Sequence, residues 1–357
     1  MTLLEPFKLH SLSLKNRIVM APLTRCRARG TVPQPLHAEY YAQRATAGLI
    51  ISEATQISPM GQGYPDTPGI HSSEQVAAWQ QVVKAVHAAG GRIFLQLWHV
   101  GRISHSLYHD GALPVSASAV PYEGMIRTPD FSTKLPAEAP RALSTAEVAE
   151  VVAEYRTAAA NAKVAGFDGV EIHAANGYLI EQFLRTGTNH RSDVYGGSLT
   201  NRLRFLKEVT EAVLQEWSSH CVGVRLSPGA QQASRQDADP VTTYRAAAQL
   251  LSTYDLAYLH TVEAEVAGYQ ASQLMRDAYR GVHMLAGELT RESGKRLIEN
   301  GAADLVAYGR LFISNPDLPE RFATNAPLND WDTETFYGGG AQGYTDYPSL
   351  ANTEKVS

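Results

Sequence analysis

The stretch EIHAANGYLIEQFL, residues 171–184, places three hydrogen-bonding side chains within six residues. His173, Asn176 and Tyr178 lie between the end of a β-branched run and the start of an apolar helical pattern. An imidazole, a carboxamide and a phenol can each hydrogen-bond a polar ligand, and a phenol can also deliver a proton. Their chemistry therefore depends on which elements bring them together.

Eight short β-branched runs alternate with longer stretches of helical periodicity along the chain. Such alternation is typical of a parallel sheet with crossover helices, and eight units predict an α/β fold, a TIM (β/α)8 barrel. A doubly wound open sheet is the alternative, but RIVMAPLTR lacks a glycine-rich turn after the first strand. The predicted strands are residues 17–22, 49–54, 92–99, 169–174, 221–228, 256–263, 283–288 and 303–309. Helices are predicted within residues 73–90, 144–166 and 290–301, which open on Ser or Thr and close on Gly.

Two irregular regions interrupt this pattern without forming further domains. Residues 105–141, rich in Pro, Ser and Tyr, predict an excursion after the third strand, and residues 337–348 predict a C-terminal loop region. Within the latter, GGGAQG has the spacing of a dinucleotide-binding loop, but it follows no strand and opens no helix. We therefore expect one domain over residues 1–357.

Composition excludes several classes of protein. The 31 Lys+Arg and 36 Asp+Glu give a formal charge of −5, which does not favour nucleic-acid binding. No signal-peptide arrangement and no run of about 18 apolar residues occurs, so we expect a cytoplasmic protein without a membrane partner. Cys26 and Cys221 are expected to be buried, reduced thiols. The 12 histidines show no metal-ligand spacing, so no metal site is expected.

Polar residues cluster where the predicted strands end, which is where TIM barrels place their active sites. Together they fit a pocket that hydrogen-bonds a large heteroaromatic and a carbonyl. Glycines also occur at the end of the seventh strand and after the eighth, where such barrels commonly bind a phosphate. The residues concerned are Thr24, Arg25, Gln96, Trp98, His99, His173, Asn176, Tyr178, Arg225, Gly287, Gly309 and Arg310.

HAANGYLIEQFL, followed by RTGTNHRSDVYGGSLTNRLRFL, resembles the signature of the old yellow enzyme family of flavin-dependent ene-reductases. The resemblance extends along nearly the whole chain, through LKNRIVMAPLTR, SEATQIS, QLWHVGR, VGVRLSP, VAYGRLFISNPDLPERF and GYTDYP. It implies a non-covalent FMN at the barrel mouth, reduced by NADPH or NADH, with NADPH expected. An activated alkene such as an enone, enal, maleimide or nitroalkene would reoxidise it. Phenolic ligands and a monomeric or homodimeric protein are also expected.

The resemblance also implies how the flavin is held. Thr24 would hydrogen-bond the C4 carbonyl, Gln96 would face the pyrimidine edge, and Arg225 would lie near N1 and the C2 carbonyl. A guanidinium there suits the negative charge that reduction adds. The backbone around Pro22, Leu23 and Ala54 would line the flavin, and the phosphate would be held by Gly287, Gly309 and Arg310.

By the same resemblance, His173 and Asn176 would bind the substrate carbonyl oxygen and polarise the conjugated alkene. Hydride would pass from flavin N5 to the β-carbon, and Tyr178 would protonate the α-carbon. Trp98 and Tyr337 are expected to shape the pocket walls. The cysteine that tunes the flavin in some relatives corresponds to Thr24, so Cys26 is not expected to have that role.

Two other functions are consistent with such a barrel. Another FMN barrel oxidoreductase, similar to dienoyl-CoA reductases, would usually add an iron–sulfur cluster, which two lone cysteines do not predict. A non-catalytic flavin- or steroid-binding barrel would differ in that its bound flavin would not turn over.

Overall fold

Eight parallel strands close into a barrel in the computed structural model, which describes residues 2–229 and 236–353. The strands pair in chain order, with Leu95 of the third strand opposite Val170 of the fourth, and the eighth strand pairs with the first to complete the ring. The predicted TIM barrel is thus confirmed. The strands are β1 Ile18–Met20, β2 Leu49–Ile51, β3 Ile93–Trp98, β4 Gly169–His173, β5 Val222–Leu226, β6 Tyr258–Val262, β7 His283–Ala286 and β8 Leu305–Tyr308.

The observed strands are shorter than the predicted runs. The fifth run was expected to begin at Cys221, which instead ends a 3-10 helix, Ser219–Cys221, and is only partly buried. The expectation of a fully buried thiol is therefore wrong for Cys221 and correct for Cys26. Residues past the strand ends, such as Pro22 and Ala54, leave the hydrogen-bonded ladder and form the mouth of the barrel.

Helices follow the strands around the outside, and local signals set their ends. The helix predicted within residues 144–166 begins with a capping box in which the Ser144 hydroxyl accepts from the backbone N–H of Glu147. It ends at Gly166, whose φ of 91° suits a residue without a side chain. The helices are α1 Pro35–Gln43, α2 Ser73–Ala88, α3 Thr145–Ala165, α4 Leu179–Leu184, α5 Leu199–Leu214, α6 Pro240–Leu251, α7 Ala271–Ala278, α8 Arg291–Glu299, α9 Arg310–Ser314, α10 Leu318–Thr324 and α11 Leu350–Thr353.

Alternate residues of each strand face opposite sides of the barrel wall. Val170 and Ile172 of β4 pack in the apolar layer between strands and helices, while Glu171 and His173 alternate with them. At the N-terminal end, the antiparallel hairpin Phe7–Leu9 and Leu12–Leu14 closes the interior with apolar side chains. Because that end is apolar, the polar interior residues are concentrated toward the other end.

The excursion after β3 forms two small ladders rather than a separate core. Met125–Arg127 pairs antiparallel with Lys134–Pro136, and Val115–Ser116 pairs parallel with Arg141–Ala142. Ile126 packs in one apolar cluster with Trp98, so the excursion covers the end of β3. Short strands also occur at Thr55–Gln56, Glu265–Val266 and Tyr269–Gln270. Within the described ranges, every helix is too short or too polar to cross a lipid bilayer.

Candidate active site

A buried polar layer crosses the barrel interior beneath its mouth. The Gln96 amide nitrogen donates to Glu171 Oε1 at 2.7 Å, and His260 Nδ1 lies 2.8 Å from Glu171 Oε2. All three side chains are buried. Burial opposes ionisation of Glu171, but His260 and Arg225 outweigh it and lower the pKa of this carboxyl. Glu171 is therefore a buried anion that turns the Gln96 amide nitrogen toward itself and leaves the amide oxygen for another donor.

Arg225 lies in this layer with unused hydrogen-bonding capacity. On β5, Arg225 lies opposite His173 of β4 on one side and opposite His260 of β6 on the other. Burial lowers the pKa of Arg225 and Glu171 opposes that effect, and a guanidinium remains charged in any case. Its Nε is buried without a partner, and none of the residues in the described ranges accepts a hydrogen bond from this side chain. The barrel interior thus presents a cation to an anionic or acceptor-rich group.

The turn after β4 brings the three residues of the opening stretch together. The backbone N–H of Ala175 donates to His173 Nδ1 at 3.3 Å, so the proton of the neutral ring resides on Nε2. Asn176 and Gly177 are both left-handed, with φ of 59° and 82°. The reversal returns the chain so that the Tyr178 ring lies edge-on to the His173 ring, with centroids 4.9 Å apart. All six residues of α4 are buried and anchor the turn.

An aromatic wall borders this turn. The Tyr178 ring is perpendicular to Trp98, with centroids 5.1 Å apart, and Tyr64 tilts against Trp98 at 5.4 Å. The hydroxyl oxygens of Tyr64 and Tyr178 are 3.0 Å apart. Sequence reasoning missed Tyr64 because it lies in the loop after β2, away from any strand end. No local pattern marks a loop tyrosine that reaches its partner only in the folded chain.

The residues predicted to hold a phosphate meet in one cleft. Gly287, Gly309 and Arg310 line a cavity of about 650 Å³ together with Leu23. Arg310 pairs with Glu288 at 3.3 Å, but both side chains are largely exposed, so this ion pair is weak and leaves the guanidinium available. A Cβ at Gly309 would lie 3.4 Å from the Leu23 side chain, which is an ordinary van der Waals contact, so packing against Leu23 does not by itself require glycine here.

The remaining predicted residues are at or near the mouth. Pro22, Leu23 and Thr24 follow β1 and are partly exposed, whereas Ala54 follows β2 and packs with Trp98. Tyr337 does not form a buried wall, since 55% of it is exposed.

The C-terminal loop that carries Tyr337 is clamped by two arginines. Arg25 donates to the carbonyl oxygens of Phe336 and Gly343, at 2.8 and 2.7 Å, and Arg27 donates to that of Gly340 at 3.0 Å. The glycine-rich segment therefore offers its carbonyl groups to cations and opens no helix. It is the loop that its sequence predicts. Arg25, considered as a site residue from its place near a strand end, is a buried clamp.

Two further features bear on the predicted chemistry. Cys26 has a φ of 55° and is buried, and burial raises the pKa of its thiol, which disfavours a reactive thiolate. At the N-terminal end of the barrel, His220 lies 2.8 Å from Asp255 and stacks on His10 with centroids 3.9 Å apart. These three residues could approach one ion, but the nearly parallel rings direct their in-plane lone pairs side by side rather than toward a common point.

Comparison with known proteins identifies relatives over the whole chain. Residues 2–329 match the model of the NADH:flavin oxidoreductase / NADH oxidase family. The chain is 48% identical to 12-oxophytodienoate reductase 7 of Oryza sativa subsp. japonica, covering 98% of this chain and 94% of the relative. It is 45% identical to 12-oxophytodienoate reductase 2 of Arabidopsis thaliana, with 98% and 96% covered.

Solved structures agree with these matches. Morphinone reductase in complex with tetrahydroNAD superposes with a TM-score of 0.94 at 48% identity, covering 99% of both chains. The old yellow enzyme homologue from Zymomonas mobilis superposes with a TM-score of 0.95 at 45% identity, covering 98% of this chain and 100% of the other.

Proposed function

Because the chain belongs to the old yellow enzyme family of FMN oxidoreductases, we propose that it is an NADPH-dependent ene-reductase that acts on activated alkenes. The observation that supports this most directly is the His173–Asn176–Tyr178 turn at the barrel mouth, beside the charged layer of Glu171 and Arg225. One FMN-binding domain would span residues 1–357, of which residues 1, 230–235 and 354–357 lie outside the described part.

The residues present fit FMN. The partly accessible Arg225 side chain, which carries a guanidinium, and the open amide oxygen of Gln96 suit the N1–C2–N3 edge of a flavin, which offers both acceptors and a donor. Thr24 would hydrogen-bond the C4 carbonyl, and the backbone around Pro22, Leu23 and Ala54 would line the ring. The phosphate would lie in the cleft formed by Gly287, Gly309 and Arg310.

When bound, FMN supplies the hydride that is added to the β-carbon of the alkene. The chain's own residues act on the other end of the conjugated system. His173, whose proton resides on Nε2, and the Asn176 amide would donate to the substrate carbonyl oxygen. Both donors would hold the negative charge that develops on that oxygen, so they stabilise the transition state more than the ground state.

Tyr178 would then deliver a proton to the α-carbon. Its hydroxyl lies 3.0 Å from that of Tyr64, so Tyr64 can donate to it and leave the Tyr178 proton directed toward substrate. Trp98, buried beside Tyr178, would form one wall of the pocket. Tyr337, on the clamped C-terminal loop, would border the entrance from the exposed side.

Substrate and reductant are proposed from chemistry that the relatives share. The 12-oxophytodienoate and morphinone reductases are named for oxo compounds, which supports an unsaturated ketone as substrate. The tetrahydroNAD bound to morphinone reductase supports a nicotinamide reductant. We propose NADPH as the preferred reductant, phenols as ligands of the oxygen site, and a monomer or homodimer in solution.

Anaerobic half-reactions would test this proposal. The purified protein should be yellow and release FMN, not FAD, on acid precipitation. NADPH and NADH are then compared as reductants, and the reduced protein is mixed with enones, enals, maleimides and nitroalkenes. Reoxidation with formation of the saturated product supports the proposal. A flavin that is reduced but not reoxidised by any of these alkenes would favour the non-catalytic barrel.

A further inference from the structure

A left-handed backbone turn carries Asn176, and two of its amides are tied to buried side chains. The Asn176 N–H donates to Ser227 Oγ at 2.7 Å, and the Gly177 N–H donates to Glu181 Oε2 at 2.5 Å. Asparagine tolerates a φ of 59° better than most residues, but the conformation remains uncommon outside glycine. Such backbones persist where surrounding contacts determine them, and these two hydrogen bonds are such contacts.

Glu181 is the centre of these contacts. Its Oε1 accepts from Ser227 Oγ at 2.7 Å, from the Tyr244 hydroxyl at 2.6 Å and from Arg185 at 3.1 Å. All of these side chains are almost wholly buried, so the Arg185 charge compensates the carboxylate in a low-dielectric interior. Arg185 also donates to the Ser227 carbonyl oxygen at 3.0 Å, so it contacts both Glu181 and Ser227.

The donor and acceptor roles in this chain of hydrogen bonds follow from charge. A carboxylate can only accept, so the Ser227 hydroxyl must direct its proton to Glu181. Its lone pairs then face the Asn176 N–H, which can only donate. Ser227 therefore transmits the position of the buried carboxylate to the backbone of Asn176.

We infer that Glu181 and Ser227 are positioning residues that set the placement of Asn176 and Tyr178 for carbonyl binding and protonation. The inference rests on the proposed function, because that function assigns carbonyl binding to Asn176 and protonation to Tyr178. The Tyr178 N–H donates to the Ala175 carbonyl oxygen at 3.2 Å, so a shift of the turn moves both residues together. Gln96 and Arg225, the side chains proposed to face the flavin, accept neither of the hydrogen bonds that the Asn176 and Gly177 amides donate.

The variant Ser227→Ala tests the hydrogen bond between the Asn176 N–H and Ser227 Oγ by itself. The substitution removes the acceptor of the Asn176 N–H with little change in volume, and Glu181 keeps Tyr244, Arg185 and Gly177 as donors. We expect binding of 4-hydroxybenzaldehyde, a phenol, to weaken about tenfold, the usual effect of losing one neutral hydrogen bond. FMN affinity and the flavin reduction potential should remain unchanged. Glu181→Gln should have a larger effect, because it weakens both amide contacts and leaves Arg185 without its carboxylate.

Ser104→Ala provides the matched control. Ser104 is also fully buried and donates to the Gln62 carbonyl oxygen at 2.7 Å, but neither residue belongs to the turn. Hydrogen exchange of the peptide that contains Asn176 and Gly177 should be faster in Ser227→Ala and unchanged in Ser104→Ala. Phenol titrations of the wild-type, Ser227→Ala and Ser104→Ala holoenzymes should show weaker binding only for Ser227→Ala.

Three results would contradict the inference. Unchanged exchange in Ser227→Ala would show that the contact does not hold the turn. Faster exchange with undiminished phenol affinity would show that the position of the Asn176 turn does not govern phenol binding. An equal loss of affinity in Ser104→Ala would show a general effect of deleting a buried hydroxyl. Failure of the wild-type holoenzyme to bind phenols or reduce alkenes would instead count against the proposed function, while the exchange comparison would still judge the holding role.

Discussion

The hydroxyl oxygens of Tyr64 and Tyr178 lie 3.0 Å apart although the two residues are 114 positions apart in the chain. Each phenol has one proton, so only one of them can donate across this contact. If Tyr178 directs its proton to substrate, Tyr64 must be the donor. In this arrangement Tyr178 delivers the proton, and Tyr64 orients the Tyr178 hydroxyl by donating a hydrogen bond to it.

Tyr178→Phe should separate the two half-reactions. Flavin reduction by NADPH needs no proton from this phenol and should proceed nearly normally. Reduction of cyclohexenone-type substrates should slow by roughly 10²–10⁴-fold, the usual contribution of a positioned general acid. Nitroalkenes should be affected less, since their reduced anion is stable until solvent protonates it. Stopped-flow measurement of both half-reactions checks this, and equal slowing in both would mean that Tyr178 only shapes the site.

Tyr64→Phe is the companion variant. It removes the donor to Tyr178 but leaves the phenol that delivers the proton, so enone reduction should slow only about tenfold. The same stopped-flow assay measures the effect. A loss as large as that of Tyr178→Phe would reassign proton delivery to Tyr64 or to the pair as a unit.

Arg225→Ala should weaken FMN retention and shift the flavin reduction potential to a more negative value. The guanidinium is the cation of the interior layer, and removing it leaves the Glu171 carboxylate with only His260 and Gln96 as partners near the proposed flavin edge. Arg225→Lys should restore retention only in part, because an ammonium cannot present a planar fork of donors. Flavin dissociation constants and potentials measured with reference dyes decide the matter. Full flavin content and an unchanged potential in Arg225→Ala would contradict the assignment.

Phenols should bind as phenolates to His173 and Asn176 and produce a broad long-wavelength absorption band. Two donors stabilise the anion, and its electron-rich ring can then stack on oxidised flavin. The double variant His173→Ala with Asn176→Ala should lose the band while keeping FMN, whose proposed contacts lie elsewhere. Titration with 4-hydroxybenzaldehyde, followed by absorbance, measures this. A band of undiminished intensity would place the oxyanion site at other residues.

A buried acid beside the mouth predicts a pH dependence of stability. Glu53 precedes Ala54, is fully buried, and lies 3.5 Å from His37 and 3.2 Å from the Tyr41 hydroxyl. Burial raises the pKa of Glu53 from 4.5 to about 7, and Arg25 only partly opposes this effect. Burial also lowers the pKa of His37 to about 4, so His37 stays neutral between pH 5 and 8.

The raised pKa determines the sign of the effect. Between pH 4.5 and 7 the folded state holds a proton on Glu53 that the unfolded state has lost, so this group's stabilisation declines as pH rises toward 7. Glu53→Gln removes the titration. Its free energy of unfolding relative to wild type should therefore rise by up to about 3 kcal/mol from pH 4.5 to pH 7. Urea unfolding at several pH values measures this, and a constant difference would show that Glu53 does not titrate in this range.

Much of the fold was predictable from the sequence because its signals are local. Strand and helix follow from hydrophobic periodicity, and caps such as Ser144 and Gly166 act within a few residues. The carboxyl ends of parallel strands meet at one rim, so Gln96, His173 and Arg225 could be placed together from strand order alone. The roles of these residues came from family resemblance, since residue type and spacing do not identify a flavin.

Only the tertiary structure decided which side chains act on one another across long separations. The contacts of Tyr64 with Tyr178, of Ser227 with Asn176, and of His260 with Glu171 join loops and strands that are remote in sequence. Likewise, Arg25 and Arg27 clamp the C-terminal loop instead of entering the site, and Tyr337 remains exposed. Such contacts depend on the stagger of the barrel strands, on loop paths and on side-chain rotamers. Packing of the whole chain sets all three, and no local pattern encodes them.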